Sequence, residues 1–257
     1  MAHSLASSEL SHHTILCFLV FCRVSGFIMT CPLTRDWLPL TARFLLALSL
    51  SVAAMFQLST EITTDLSLSL VFIACSEFFI GLLFGAVLLI YFGVFTLAGH
   101  LTGLQMALGF AELSDPANGI SVTVVARIYQ VMAQLLFVLI NGHLLFFVVV
   151  IESFHALPIG HFLTVIDRTT VLLTMTGWMF GAGLLIALPA IVCLLIVNLT
   201  FGFMTRSAPQ MNLLTLGFPM IVLVGIALLS LNILQVPYVV EQHIHYALKT
   251  LGYLLSD

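Results

Sequence analysis

The sequence predicts an all-α integral membrane protein. Hydrophobic residues make up 61% of its 257 residues and charged residues 7%, against about 25% charged in soluble domains. Mean hydropathy is +1.20. A helix needs roughly 20 apolar residues to cross the hydrocarbon core. Four stretches without Asp, Glu, Lys or Arg exceed that length: residues 78–111, 128–151, 169–205 and 207–240.

Several function classes find no support in the sequence. The net charge of −4 gives no indication of a nucleic-acid partner. The five cysteines form no CxxC pair, so we expect buried free thiols. The chain contains no HExxH, GxSxG, GxGxxG or phosphate-binding GxxxxGK[ST] pattern. We therefore predict a non-enzymatic protein without a metal site or cofactor.

The first apolar run, Thr14–Thr30, follows a polar start at residues 1–13 that contains no Lys or Arg. A secretory signal would begin with a basic segment, so we expect this run to be retained. The run contains Arg23. An arginine there either turns inward to a partner or extends to a lipid headgroup, and both alternatives stay open.

The next segments have unusual lengths for membrane crossings. Cys31–Arg43 is a predicted hinge because Pro32 and Pro39 disfavour helix at the residues before them. Phe44–Leu58 is short for a straight span and suits an interfacial or half-crossing segment. Leu66–Ala98 would be about 50 Å long as one helix, so it must tilt, bend or protrude.

Two apolar runs contain groups of glycines. Gly81, Gly85 and Gly93 are spaced by four and eight and so lie near one helix face, where neighbouring backbones can approach closely. The alternative for this group is that each glycine is tolerated singly. We also expect close packing at Gly177, Gly181 and Gly183 in the first half of a later run.

The run Ile128–Ile151 is expected to form one helix closed by Glu152–Pro158. Its polar residues, Asn141 and His143, are expected to form hydrogen bonds across helices.

The later runs lead to the C-terminal tail. Thr169–Met204 contains Pro189 and is either one bent helix or a hairpin. A polar break at Thr205–Asn212 precedes the run Leu213–Val236. The tail Pro237–Asp257 mixes His, Tyr and charged residues with Leu, which predicts an amphipathic helix.

An acidic interruption lies in the middle stretch, Gly99–Arg127, where Glu112, Asp115 and Pro116 stand among small residues. Flanked by such apolar runs, it must face water, lie within protein or line a cavity. The Lys and Arg residues are too evenly divided to predict an orientation.

Ionisable residues in membrane segments are candidates for function or for pairing. The candidates are Arg23, Glu77, Glu112, Asp115, Arg127, Glu152 and Arg206. A proton-coupled carrier would use such groups. Carriers usually contain two related halves, however, and residues 1–128 and 129–257 show no repeat.

Several segments resemble the FliR family of flagellar export-gate proteins, whose injectisome counterparts are the SctT proteins. The best match is Arg206–Gly225, RSAPQMNLLTLGFPMIVLVG, with its arginine, Ala-Pro-Gln and Gly-Phe-Pro. Others are Arg23 followed by Pro32; Glu77-x3-Gly81-x3-Gly85; Ala98–Gly99 with Gln105; Asp115–Pro116; Ala126–Arg127; Asn141–Gly142–His143; and Ser153-x4-Pro158. The resemblance runs from about Phe21 to Gly225.

The resemblance implies a core subunit of a type III protein-export gate in the bacterial inner membrane, within the flagellar basal body. Residues 1–257 would form a single FliR-like membrane domain of long, kinked helical hairpins in a helical, ring-like assembly. Residues 14–204 would be FliP-like hairpins, and residues 205–257 a FliQ-like hairpin with an amphipathic tail. Implied partners are FliP-like, FliQ-like, FlhB-like and FlhA-like proteins, membrane lipid and unfolded flagellar subunits.

The resemblance also implies a plug loop near residues 105–122 that closes the pore. Its residues would be Gly109, Phe110, Leu113, Asp115 and Pro116, with Phe110 and Leu113 blocking the lumen. Ordinary helix packing is the alternative role for Phe110. Structural or inter-subunit roles are implied for Arg23, Glu77, Gly81, Gly85, Arg127, Arg206, Pro209, Gln210, Gly217 and Pro219.

Overall likeness favours flagellar use. The alternatives are the equivalent subunit of a virulence injectisome and a stand-alone secondary transporter.

Overall fold

The computed structural model describes residues 2–56, 68–108, 123–160, 169–207 and 217–255, with only the backbone described for residues 2–12, Leu68 and Ser207. Every regular element in these ranges is a helix, which confirms the all-α prediction. The helices are α1 (Ala2–Thr30), α2 (Pro32–Trp37), α3 (Leu40–Met55), α4 (Leu68–Gln105), α5 (Val124–Leu139), α6 (Gly142–Ala156), α7 (Thr170–Ser207), α8 (Phe218–Ile233) and α9 (Val236–Leu255).

Three of the described helices are long and apolar enough to cross a membrane. The spans are His13–Thr30 in α1, Ser69–Gln105 in α4 and Thr170–Arg206 in α7. The pairs α5–α6 and α8–α9 are each bent at a short break, and counting each pair as one span raises the total to five. The chain is thus an all-α membrane protein.

The chain divides into two compact units. The first unit comprises residues 1–89, 142–175 and 246–257, and the second comprises residues 90–141 and 176–245. The helices α4, α7 and α9 each contribute residues to both units.

In the first unit, α1 packs on α3 across the predicted hinge. The hinge is confirmed, because Pro32 lies in the first turn of α2 and Pro39 directly precedes α3. Arg43 fixes this corner by donating hydrogen bonds to the carbonyl oxygens of Leu38 (2.9 Å) and Arg35 (2.6 Å). With 16 residues, α3 is about 24 Å long, which is short for a straight crossing.

The fourth helix, α4, has 38 residues and is about 57 Å long, longer than predicted. Its first glycines pack tightly on α1, as expected. A Cβ atom on Gly81 would overlap the carbonyl oxygen of Arg23, and one on Gly85 would lie 2.6 Å from Cβ of Thr30. Gly26 of α1 meets the carbonyl oxygen of Phe78 in the same way.

The second unit contains an aromatic cluster. Tyr91 and Phe92 of α4 pack against Phe137 of α5, with ring centroids 5.8 and 5.2 Å from that of Phe137, and the ring of Phe95 packs against Tyr91 (5.7 Å). The Tyr91 hydroxyl donates a hydrogen bond to the carbonyl oxygen of Val240 (3.0 Å).

The glycines of α7 differ from the prediction. Gly183 packs against Leu97 and the carbonyl oxygen of Val94. Among the described residues, nothing lies within 4 Å of a Cβ atom built on Gly177 or Gly181. The close-packing prediction is therefore wrong for these two glycines within this chain.

The apolar run with Pro189 forms one continuous helix and not a hairpin, since α7 extends from Thr170 to Ser207 with the proline inside it. Proline removes one hydrogen bond, and the remaining bonds of the long helix hold the two sides together.

The run Ile128–Ile151 is not one helix, so that prediction is wrong. Asn141 lies exposed in the connection between α5 and α6 with φ +57°. Asparagine tolerates this left-handed conformation better than most residues. Its expected position inside a helix is therefore corrected to a turn.

The C-terminal helix α9 is amphipathic, as predicted. Its buried apolar side chains recur every three or four residues: Val236, Val240, Ile244, Ala247, Leu251 and Leu254.

We predict that Gly81→Ala destabilises the folded chain by about 1–3 kcal/mol, because the added methyl group would force α1 and α4 apart. Gly177→Ala is the matched control, since space is open there and alanine favours helix. Thermal unfolding of the purified full chain in detergent measures both variants. Equal melting temperatures for the two variants would contradict this account of the α1–α4 contact.

Candidate functional site: a buried ion pair between α1 and α4

An ion pair joins α1 to α4 in the interior of the first unit. Arg23 and Glu77 both have fully buried side chains, and Nη2 of Arg23 lies 2.6 Å from Oε2 of Glu77. Nε of Arg23 also donates to Oε2, at 2.6 Å. Of the two alternatives for Arg23, the structure shows the inward one.

The other guanidinium hydrogens reach the C-terminal end of α6. Nη1 donates to the carbonyl oxygen (3.0 Å) and to Oγ (3.1 Å) of Ser153, and Nη2 donates to the carbonyl oxygen of Leu157 (3.0 Å). The last carbonyl oxygens of a helix lack partners within it and attract cations. Arg23 therefore caps α6 while it pairs with α4.

The ring of Phe154 covers the guanidinium group. The Cζ atom of Arg23 lies 4.1 Å from the ring centroid. This cation–π contact adds attraction at a site without water-facing surface.

Glu77 also holds the backbone that follows α6. Its second oxygen, Oε1, accepts a hydrogen bond from the backbone N–H of Gly160 (3.1 Å). Gly160 has φ +94°, a conformation that side chains disfavour, so the chain turns back to the carboxylate at a glycine. One carboxylate thus connects α1, α4 and the segment after α6.

The site is charge-balanced and fully bonded. All three guanidinium nitrogens have an acceptor, and both carboxylate oxygens have a donor. Such an arrangement leaves no group free to act as acid, base or nucleophile. Its geometry fixes three segments, and we call this group of residues the clamp: Arg23, Glu77, Ser153, Phe154, Leu157 and Gly160.

Other residues with predicted structural roles lie on the surface or at helix starts. Arg127 is exposed, and its Nη1 donates to Oε1 of Gln130 (3.1 Å). Arg206 is exposed near the end of α7. Gly217 is buried directly before α8, and Pro219 lies in its first turn, where a missing N–H costs no helix bond. Pro209 and Gln210 lie outside the described residues.

The five predicted plug residues also lie outside the described residues: Gly109, Phe110, Leu113, Asp115 and Pro116. The structure does describe both flanks. The helix α4 ends at Gln105, and the N–H of Leu108 donates to the carbonyl oxygen of Gly103 (3.1 Å). Ala107 has φ +59°, as in a helix-terminating turn. The helix α5 begins at Val124, capped by the Thr123 side chain.

The flanks of the predicted plug lie against each other. A Cβ atom on Gly103 would lie 2.9 Å from Oγ1 of Thr123, and one on Gly99 would lie 2.5 Å from Cα of Ala126. The two described flanks, which end at Leu108 and begin again at Thr123, therefore meet at one closed base.

Several residues of the clamp and of the helix contact beside it were not predicted from the sequence. Gly26 was not selected, although it lies three residues from Arg23. Leu157 and Gly160 contribute through backbone atoms, which carry no residue-type signal. Ser153 was noticed only within the Ser153-x4-Pro158 resemblance. The available clue was a hydroxyl residue and a glycine, Ser153 and Gly160, near the C-terminal end of α6.

Comparison with known proteins identifies the family. The model of a family described as "Bacterial export proteins, family 1" matches residues 14–247. The chain is 34% identical over 216 residues to the flagellar biosynthetic protein FliR of Escherichia coli (strain K12), covering 84% of this chain and 83% of the relative. The chain belongs to the FliR family.

Other FliR relatives match equally broadly. Flagellar biosynthetic protein FliR of Pectobacterium carotovorum subsp. carotovorum is 36% identical over 190 residues, covering 74% of this chain and 72% of the relative. The FliR of Aquifex aeolicus (strain VF5) is 27% identical over 245 residues, 95% of each chain. The resemblance seen in the sequence is confirmed, and the clamp of this FliR-family chain lies within the matched region.

We predict that removing either charge of the clamp destabilises the full chain by about 3–5 kcal/mol, because the other charge stays buried without its partner. Arg23→Leu and Glu77→Leu test this, with Arg127→Leu as an exposed control that should change stability by no more than about 0.5 kcal/mol. Equilibrium unfolding in detergent measures each variant. The double variant should lose less than the sum of the single variants, and strict additivity would contradict a direct pairing.

Proposed function

We propose that this chain is a non-enzymatic core subunit of the flagellar type III protein-export gate in the bacterial inner membrane, at the flagellar basal body. The observation that carries the proposal is family membership across residues 14–247. Relatives that are named flagellar biosynthetic proteins match most of their own length and most of this chain, which supports flagellar use over an injectisome.

The exposed apolar surface supports a subunit that other chains complete. The helix α3 is too short for a straight crossing, yet it exposes large apolar side chains, among them Leu40, Phe44 and Leu45. Large exposed apolar patches mark interaction or membrane surfaces. We propose FliP-like and FliQ-like subunits as membrane partners and FlhB-like and FlhA-like proteins as further components of the export apparatus.

The clamp supports a structural role for Arg23, Glu77, Gly81 and Gly85. A fully bonded ion pair fixes α1, α4 and the end of α6, which suits a rigid wall and not a proton-coupled carrier. The break from Arg206 to Pro219, with Pro209 and Gln210, is proposed to join the FliP-like and FliQ-like parts. Arg127 and Arg206 are exposed and are proposed as contacts to other subunits.

We expect loss of this chain from its host to abolish flagellar assembly and swimming, and a plasmid copy to restore both. An affinity-tagged copy should co-purify with small FliP-like and FliQ-like membrane proteins. Normal flagella with loss of effector secretion would favour an injectisome subunit. A chain that purifies without partner proteins and takes up a solute into vesicles would favour a transporter.

The plug is the finer part of the proposal. Unfolded flagellar subunits would pass through a pore that residues 105–122 close at rest. The closed base formed by Gly99, Gly103, Thr123 and Ala126 supports a loop that projects from a fixed support. Phe110 and Leu113 would seal the lumen, since apolar constrictions can block ions by excluding water.

Deleting Gly109–Gly119 should raise resting ion leak through the assembled gate, measured as membrane conductance and as growth inhibition. The milder variant Phe110→Ala should leak less than the deletion, and Glu112→Gln is the matched control. Co-purification with the partner subunits confirms that each variant assembles. Unchanged leak in a normally assembled deletion variant would contradict the plug.

A further inference from the structure

A cleft in the second unit is not used by any role described above. It has a volume of about 470 Å³ and lies between α7 on one side and the end of α8 with the start of α9 on the other. Its α7 wall contains Trp178, Gly181, Leu185 and Pro189 at helical spacing. The volume falls in the range of small-molecule sites, about 300–1,000 Å³.

The described residues that line the cleft are mostly apolar, and none of them is Asp, Glu, Lys or Arg. Val236 and Val239 form the middle of the α9 wall, and Gln235 and Gln242 flank them along the chain. A lining without formal charge favours a ligand that places no phosphate or carboxylate inside it.

Polar groups of the cleft lack protein partners among the described residues. Asn232 is 9% exposed and lines the cleft, and its carboxamide forms no hydrogen bond there. Nδ1 of His243 is buried and equally unpaired, while its ring meets Trp178 with centroids 5.0 Å apart. Pro189 has no N–H, so it cannot donate to the carbonyl oxygen of Leu185. A buried polar group without a hydrogen-bond partner costs free energy, which favours a ligand that bonds these groups.

The position of the cleft indicates where its ligand comes from. The residues of its α7 wall lie within the span Thr170–Arg206, which is long and apolar enough to cross the membrane. No Cβ atom fills the space beside Gly181. A molecule that enters from the bilayer brings apolar chains together with uncharged ester and hydroxyl groups.

We propose that this cleft binds a membrane glycerolipid. An acyl chain lies along Leu185, Val236 and Val239, and an ester carbonyl oxygen accepts a hydrogen bond from the Asn232 carboxamide. The charged headgroup stays outside the cleft. Lipid binding in the cleft requires neither the plug nor the export role. The experiment can therefore contradict it without contradicting the proposed function.

The test uses Trp178 as a reporter of lipid contact. The chain has two tryptophans, and Trp37→Phe leaves only the one in the cleft wall. The full chain is reconstituted in vesicles of phosphatidylethanolamine and phosphatidylglycerol, with part of the phosphatidylethanolamine carrying dibrominated acyl chains. Brominated chains quench tryptophan fluorescence on contact. Quenching greater than the mole fraction of brominated lipid in the vesicle predicts therefore reports a lipid retained beside Trp178.

We expect Trp178 to be quenched preferentially at low fractions of brominated lipid. Asn232→Leu should lower that preference about threefold to tenfold, as expected for one lost hydrogen bond. Ala182→Phe, which fills the cleft, should lower the quenching at every fraction. Ser230→Leu is the matched control on α8, because Ser230 is exposed and its hydroxyl bonds only within its own helix. Identical curves for all four proteins would overturn the proposal.

A second measurement tests the assembled protein in cells. Lipids carrying a photoactivatable group on the acyl chain should label peptides that contain Trp178–Pro189 and Asn232–His243. Asn232→Leu should reduce this labelling, whereas Ser230→Leu should not. Labelling absent from the assembled form would overturn the proposal in favour of a neighbouring protein chain in the cleft.

Discussion

A guanidinium group without access to water must find an acceptor for each of its five N–H groups, and this requirement organises the first unit. Arg23 has acceptors for all three of its nitrogens in the carboxylate of Glu77 on α4, the carbonyl and hydroxyl oxygens of Ser153 in α6, and the carbonyl oxygen of Leu157 directly after α6. No single helix could supply this set. The charge therefore forces α1, α4 and the end of α6 to meet at one point, with the backbone of Gly160 completing the carboxylate.

The close approach of α1 and α4 follows from the same constraint. The Nη2–Oε2 distance of 2.6 Å lies beside a crossing where the backbones of α1 and α4 are near contact. Gly26 and Gly81 provide that approach one turn from the ion pair, and Gly85 continues it by a further turn. The glycines and the ion pair are thus two parts of one arrangement, because larger residues at the crossing would separate the charges and leave each buried alone.

The second unit achieves its packing with neutral groups. Its core contains an aromatic cluster that includes Phe137, and its close helix contacts include Gly103 against Thr123 and Gly99 against Ala126. The closed base of the predicted plug belongs to this neutral packing. The glycine contacts of this base lie in α4 and at the start of α5, outside residues 109–122.

The sequence predicted the membrane class, the long helices, the hinge and the amphipathic tail, because apolar run length and periodicity are local properties. It also selected Arg23 and Glu77, but their pairing joins residues 54 positions apart, which no local pattern encodes. The carbonyl oxygens of Ser153 and Leu157 are backbone acceptors and carry no residue-type signal, whereas the Ser153 hydroxyl is a side-chain acceptor. Asn141 was misplaced because a left-handed turn and a buried polar residue look alike in a long apolar run.

The wrong close-packing prediction for Gly177 and Gly181 in α7 shows that one glycine spacing can occur in two different environments. Gly81-x3-Gly85 and Gly177-x3-Gly181 have the same spacing, yet only the first meets a helix of its own chain. Glycine spacing shows that one face of a helix lacks side chains, but it does not identify what packs against that face. Around Gly181 the polar groups of the same cleft add information, because Nδ1 of His243 is buried without a hydrogen-bond partner among the described residues, and Asn232 also lines the cleft. An uncharged groove with an unpaired imidazole nitrogen fits a lipid better than a helix backbone, because the hydrogen-bonding groups of a helix backbone are already paired within the helix.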